Sequence, residues 1–222
     1  MKNFSLFALL ASFTLVFSSC STNETLIPEE QSLDLLKTYT IHRDADGAYS
    51  LNYNLNSNAA TENVLDRATN TNNIYLYSSD NQSSRKVTQD LTIDGSQLKV
   101  GFVDTGADKQ PQITIIDDKS SLIKNSNDKL SDYSISSNQD GTFTLDFSVK
   151  KNTRVDFVYN EKIKTYEVHL EEGKSNENNF TRVLEKINGQ QLKLDFVNHL
   201  SSNLQARGEY ESITKKPKVI IL

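Results

Sequence analysis

Two tandem antiparallel β-sandwich domains, immunoglobulin-like or related and produced by internal duplication, are what this 222-residue sequence predicts. Three observations carry the all-β expectation. The chain matches itself at a fixed shift of 94 residues, apolar and polar residues alternate through both copies, and Asp-Gly or Asn-Gly pairs separate the apolar runs.

The duplication comes first because it sets the boundaries. A shift of 94 lays Tyr39 to Leu55 (YTIHRDADGAYSLNYNL) on Tyr133 to Val149 (YSISSNQDGTFTLDFSV) without a gap. The same shift lays Ile93 to Asp104 (IDGSQLKVGFVD) on Ile187 to Asn198 (INGQQLKLDFVN), with seven of twelve residues identical. A last block, Lys109 to Ile116 (KQPQITII), matches Lys215 to Leu222 (KKPKVIIL) at a shift of 106, so the second copy carries extra residues before a Pro-led apolar strand. Self-similarity at a fixed period marks a repeated structural unit. The copies are placed at residues 36–117 and 130–222, with a Ser/Asn/Asp/Lys-rich linker at 118–129 and a polar tether at 20–35.

Within each copy the period of two sets the strands. Tyr49, Leu51, Tyr53 and Leu55 alternate with Ser50, Asn52 and Asn54, and Phe143, Leu145, Phe147 and Val149 repeat the pattern. Leu98, Val100 and Phe102 behave likewise, as do Leu192, Leu194 and Phe196, and so do Tyr166, Val168 and Leu170. Such alternation buries one face of a strand. Asp46-Gly47, Asp94-Gly95, Asp140-Gly141 and Asn188-Gly189 supply residues that tolerate the positive φ of hairpin turns. Phe180, Val183, Leu184 and Ile187 are spaced as on a helix face, but their counterpart Val87 to Ile93 has no such stripe, so both segments are read as strands. Six or seven strands per copy suit a sandwich; the alternative is one barrel closed by both copies.

The N-terminus reads differently. Lys2 precedes a fourteen-residue apolar run from Phe4 to Phe17, then small residues and the one cysteine, Cys20. This is the layout of an export signal over residues 1–19, and the run is shorter than the roughly 20 residues needed to span a bilayer as a helix. The segment Leu15-Val16-Phe17-Ser18-Ser19-Cys20 resembles the lipobox of bacterial lipoproteins, departing from it at Phe17, where leucine is commoner. That resemblance implies cleavage before Cys20, a diacylglyceride and palmitate on it, and a membrane partner held through that lipid, at the outer membrane or cell surface of a bacterial envelope. Cys20 aside, no cysteine remains for a disulfide.

Composition and motifs narrow the function. Without Lys2, 23 basic residues face 29 acidic ones, a formal charge of −6 that disfavours nucleic acid. There is no Gly-x-Ser-x-Gly elbow, His-Glu-x-x-His helix or phosphate-binding loop, so no enzyme chemistry and no cofactor is expected. Adjacent carboxylates such as Glu171-Glu172 point to opposite faces of a strand. Asp44 and Asp46 could suggest calcium, but no EF-hand spacing follows, and the turn preference of Asp and Gly accounts for them. His42, His169 and His199 fall opposite Ser136, Tyr75 and Thr105, outside the duplicated framework, and His169 is expected on a solvated face with Glu167 and Glu171. Tyr75 and Tyr77 alternate with Ile74 and Leu76 and could form a small aromatic platform for a ligand, although tyrosine is also an ordinary strand residue.

The copies differ in charge: residues 39–117 carry 6 basic and 10 acidic residues, residues 133–222 carry 13 and 12. A kept core with diverging surfaces suits a binding or spacer module better than an active site. The expectation is therefore a lipid-anchored, non-enzymatic envelope protein with a protein or polysaccharide partner, or alternatively a glycan-binding lipoprotein serving a transport or degradation system.

Overall fold

The structure, a computed structural model, describes residues 35–80, 84–93, 95–118, 128–185 and 191–199. All of them belong to one compact unit, Leu33–Leu222. Cys20, the tether up to residue 34, residues 119–127 of the linker, the Asn188-Gly189 pair and the KKPKVIIL segment lie outside the described residues, whereas Leu35 is buried in the core.

Thirteen strands are described: β1 (Leu36–Arg43), β2 (Tyr49–Leu55), β3 (Ala59–Asp66), β4 (Thr71–Ser78), β5 (Arg85–Asp90), β6 (Gln97–Asp104), β7 (Gln112–Asp118), β8 (Leu130–Ser137), β9 (Phe143–Val149), β10 (Thr153–Asn160), β11 (Thr165–Glu172), β12 (Asn179–Leu184) and β13 (Gln191–Asn198). They form two sheets packed as a sandwich. The first runs β12-β9-β8-β1-β2-β5 and the second β10-β11-β13-β7-β6-β4-β3. The all-β sandwich class is as the alternation predicts. No described residue is helical, and no helix among them is long and apolar enough to cross a membrane.

The expected division into two separate sandwiches gives way to a shared one. Each sheet takes strands from both copies, joined by β1·β8 in the first and β7·β13 in the second. In the antiparallel β1·β8 pair, Ile41 sits opposite Ile135, which is its own counterpart at the 94-residue shift. Pairing of equivalent residues is the mark of a local twofold axis. The aromatic core obeys the same axis. Tyr39 packs on Phe102 and on Phe143 of the other copy, and Tyr133 packs on Phe196 and on Tyr49. Registers repeat as well: Tyr75 opposite Glu62 becomes His169 opposite Asp156, and Asn72 opposite Val100 becomes Tyr166 opposite Leu194.

Physical economy explains the sharing. An isolated copy would expose β1 and β7 as sheet edges and enclose a small core, whereas cross-copy pairing removes those edges and merges the cores. The buried side chains of both copies accordingly form one cluster, from Leu35 to Phe196. At the axis of the second sheet there is room for one strand. β7 fills it, antiparallel to β6 and parallel to β13, so both sides of β13 are taken, by β11 and β7.

Local details follow from residue chemistry. Gly47 and Gly141 adopt φ of 83° in the β1–β2 and β8–β9 hairpins, as the Asp-Gly pairs predict. Gly95 (φ 70°) instead precedes β6, which lies in the other sheet from β5. The β3–β4 and β10–β11 hairpins place Asn70 and Lys164, themselves 94 residues apart, in the left-handed region. The helix-like spacing at Phe180 dissolves in β12: Phe180 lies opposite Phe147 and stacks on it, and Val183 is exposed.

Candidate binding face

The outward side of the first sheet is made mostly of short polar side chains in both copies, with His42, Lys86 and Val183 among them. Thr38, Thr40, Ser50, Asn52, Asn54 and Thr88 in one half answer Asp132, Ser134, Thr144, Asp146, Ser148 and Thr181 in the other. They bond laterally, as in Thr40 Oγ1···Ser136 Oγ at 2.9 Å and Asn54 Nδ2–H donating to Thr38 Oγ1 at 2.9 Å.

The outward side of the second sheet is built otherwise. In β4, Ile74 and Leu76 are buried, which turns Asn73, Tyr75 and Tyr77 outward as the alternation requires. Tyr75 stands between Glu62 of β3 and Val103 of β6, and Tyr77 lies opposite Ala60. The Tyr77 hydroxyl donates to Glu62 Oε2 at 3.1 Å. Desolvation first, then that carboxylate, holds the Tyr77 phenol above its ordinary range. Asn73 lies opposite Gly101, and a Cβ on Gly101 would come within 2.8 Å of Asn73 Oδ1. Ile113 and Ile115 of β7 continue the apolar character toward the axis. Thus Tyr75 and Tyr77 share one face, as expected, with Glu62, Asn73, Gly101 and Val103 added by the fold.

Across the axis, the 94-residue shift replaces Tyr75, Tyr77, Asn73 and Gly101 by His169, Glu171, Glu167 and Asp195. The expected solvated face is not found here: Glu167 is 5% and Glu171 2% exposed, and His169 is half-buried. Exposed Arg154 of β10 pairs with Glu171 from one side. Asn160 Nδ2 donates to Glu167 Oε1 at 2.8 Å, Glu167 Oε2 lies 3.0 Å from His169 Nε2, and His169 Nδ1 lies 2.8 Å from His199 Nε2. A carboxylate beside Nε2 makes that nitrogen the protonated one, so Nδ1 accepts from His199. The rings stand 5.1 Å apart at 15° with their nitrogens facing, which is an edge-on N–H···N contact rather than a face-to-face stack. Both nitrogens of His169 are thereby engaged. His42, the third histidine, is on the outward side of β1, opposite Ser134.

A second polar centre lies inside the sandwich, where the halves meet. Arg43, 5% exposed, places Nε 3.1 Å from Asp118 Oδ2 and Nη2 3.4 Å from Asp128 Oδ2, and its Nη1–H donates to the Ser131 carbonyl at 3.0 Å. The Nε contact is ionic rather than an aligned hydrogen bond. Tyr49 donates to Asp118 Oδ2 at 2.6 Å. Burial first, then Asp118, pushes the Tyr49 and Tyr133 phenols well up, and burial pushes Tyr39, bonded to Thr114, up to about 12. For Arg43, burial opposes the charge but Asp118 and its neighbours outweigh it, so the guanidinium is held above its usual range. A cluster of this kind ties the copies together, since Arg43 belongs to one and Asp128 and Ser131 lie at the start of the other.

The turn at Asp44 accounts for its own carboxylate, because Asp44 Oδ1 accepts from the Asp46 and Ala48 amides at 3.0 and 2.8 Å. Among the described residues no group of three or more His, Cys, Asp or Glu is arranged to hold a metal ion. Comparison with known proteins found no matching family model, curated protein or solved structure.

Proposed function

We propose that this chain is a lipid-anchored, non-enzymatic binding protein of a bacterial cell envelope, carried on Cys20, which presents the outward side of its second sheet to a protein or polysaccharide partner. One observation carries the choice of face. Most outward positions of the first sheet are short polar residues in both halves, with His42, Lys86 and Val183 as exceptions, whereas equivalent positions of the second are Tyr75 and Tyr77 on one side of the axis and His169 and Glu171 on the other. A face that diverges on a kept scaffold is where selective recognition is gained. The non-enzymatic reading rests on the sequence, in which no nucleophile elbow, His-Glu-x-x-His helix or phosphate-binding loop occurs. The anchor is supported by the apolar segment Phe4 to Phe17 and the lipobox-like residues before Cys20.

Capture from solubilised envelope tests the reading, with the lipidated protein as bait. A partner is retained by wild type and by Thr40→Ala on the first sheet, and lost with the double variant Tyr75→Ala/Tyr77→Ala. Equal retention by all three would refute the chosen face. Fractionation of Cys20→Ala tests the anchor: the variant leaves the membrane fraction and takes up no labelled palmitate.

A further inference from the structure

The first half of the second sheet carries a small arrangement that its counterpart lacks. Tyr75 presents its ring outward, Glu62 flanks it on β3 and Val103 on β6. Asn73, two residues back on the same face, lies over Gly101 so closely that a Cβ there would push its amide aside. Glycine here is a floor, since its φ is not in the left-handed region and conformational freedom does not require it. Among the described residues the Asn73 amide makes no hydrogen bond, while Glu62, an exposed residue, is bonded through Oε2 to Tyr77.

Resting on the binding-face reading above, we propose that Tyr75, Asn73 and Glu62, above Gly101, form a subsite for one ring of a neutral saccharide. A pyranose has an apolar face of C–H groups and a rim of hydroxyls. The phenol ring offers the matching apolar surface; the planar amide offers donors and an acceptor, and the carboxylate a further acceptor. The half that holds the subsite carries 6 basic and 10 acidic residues between 39 and 117, a charge that disfavours acidic sugars and leaves neutral ones. The opposite half cannot repeat the subsite. Its counterparts of Gly101, Asn73 and Tyr75 are Asp195, Glu167 and His169, of which Glu167 and His169 are bonded to each other.

The test is an NMR and calorimetric titration of the full mature chain with neutral oligosaccharides (cello-, manno- and malto-series), with oligogalacturonate as the acidic comparison. One neutral series binds, shifts gather at Asn73, Tyr75 and Gly101, and oligogalacturonate does not bind. Gly101→Ala, whose Cβ displaces the Asn73 amide, weakens binding about tenfold, the scale of one lost hydrogen-bonding group. Asn73→Ala does the same without altering the floor, which covers the case of a poorly folding Gly101→Ala. Thr40→Ala, on the outward side of the first sheet, leaves affinity unchanged. Absence of binding to every neutral series, indifference to Asn73→Ala and Tyr75→Ala, or shifts centred on His169 would overturn the subsite. If no saccharide binds but envelope capture still depends on Tyr75 and Tyr77, the subsite falls and the binding face stands; if capture is also indifferent, both fall.

Discussion

Ile41 of β1 lies directly opposite Ile135 of β8, and the two are the same position of the two copies. Each is fully buried, each has its own hairpin neighbour in register, Leu51 or Leu145, and each faces the same shared core. Ile41→Ala and Ile135→Ala should therefore cost the same, about 2–5 kcal/mol each. Urea unfolding of the two variants checks this. A cost confined to one of them would deny the axis.

Arg43 of β1 joins the end of β7 and the residues around the start of β8, which are 75 or more residues away in sequence. Its loss leaves Asp118 and Asp128 buried without the guanidinium, and breaking a buried ion pair from one side costs about 3–5 kcal/mol. Arg43→Met should show that loss in chemical denaturation. A change below about 1 kcal/mol would mean that the cluster is solvated.

High pH should find the buried phenols. Tyr39 sits at about 12 in the folded chain, against 10.0 as its ordinary value, and Tyr49 and Tyr133 are raised in the same direction. A group raised on folding contributes stability that is fully present below its unfolded pKa and lost as pH rises through the folded one. Tyr39 alone then contributes about 3 kcal/mol, lost between about pH 10 and 12. Tyrosinate absorbance should show that some of the nine tyrosines ionise only as the fold is lost. Ionisation of all nine near pH 10 with the fold intact would contradict their burial.

His169 should hold its proton on Nε2. Long-range ¹H–¹⁵N spectra at neutral pH are expected to show Nδ1 unprotonated, accepting from His199, and Glu167→Gln should weaken that preference because the carboxylate acceptor is lost. A predominant Nδ1–H tautomer in the wild type would reverse the direction of the hydrogen-bond chain.

What the sequence revealed, and what it hid, follows from the kind of signal each feature leaves. Alternation at Tyr49 to Leu55 or Leu98 to Phe102 states which face of a strand is buried, and both segments are strands with those residues inside. It is silent on which strand lies alongside. The 94-residue repeat thus revealed two equivalent units, yet separate sandwiches and one shared sandwich obey the same pattern. Arg43 and Asp118 are 75 residues apart with no spacing to link them. Glu167 and His169 looked solvated because they alternate with buried Val168, whereas β10 and His199 cover that face. Tyr75 and Tyr77 were legible as outward neighbours; Gly101, over which Asn73 Oδ1 lies closely, carried no turn signal to single it out.

The shared sandwich places the tyrosine half and the histidine half on one continuous face, and everything proposed for that face depends on it. Equilibrium urea unfolding of the full mature chain and of Ile135→Ala, followed by far-ultraviolet circular dichroism and tyrosine fluorescence, tests it most directly. One transition is predicted in both proteins, coincident by the two probes, with the midpoint lowered and the slope kept in the variant. Two transitions, of which Ile135→Ala moves one, would contradict it.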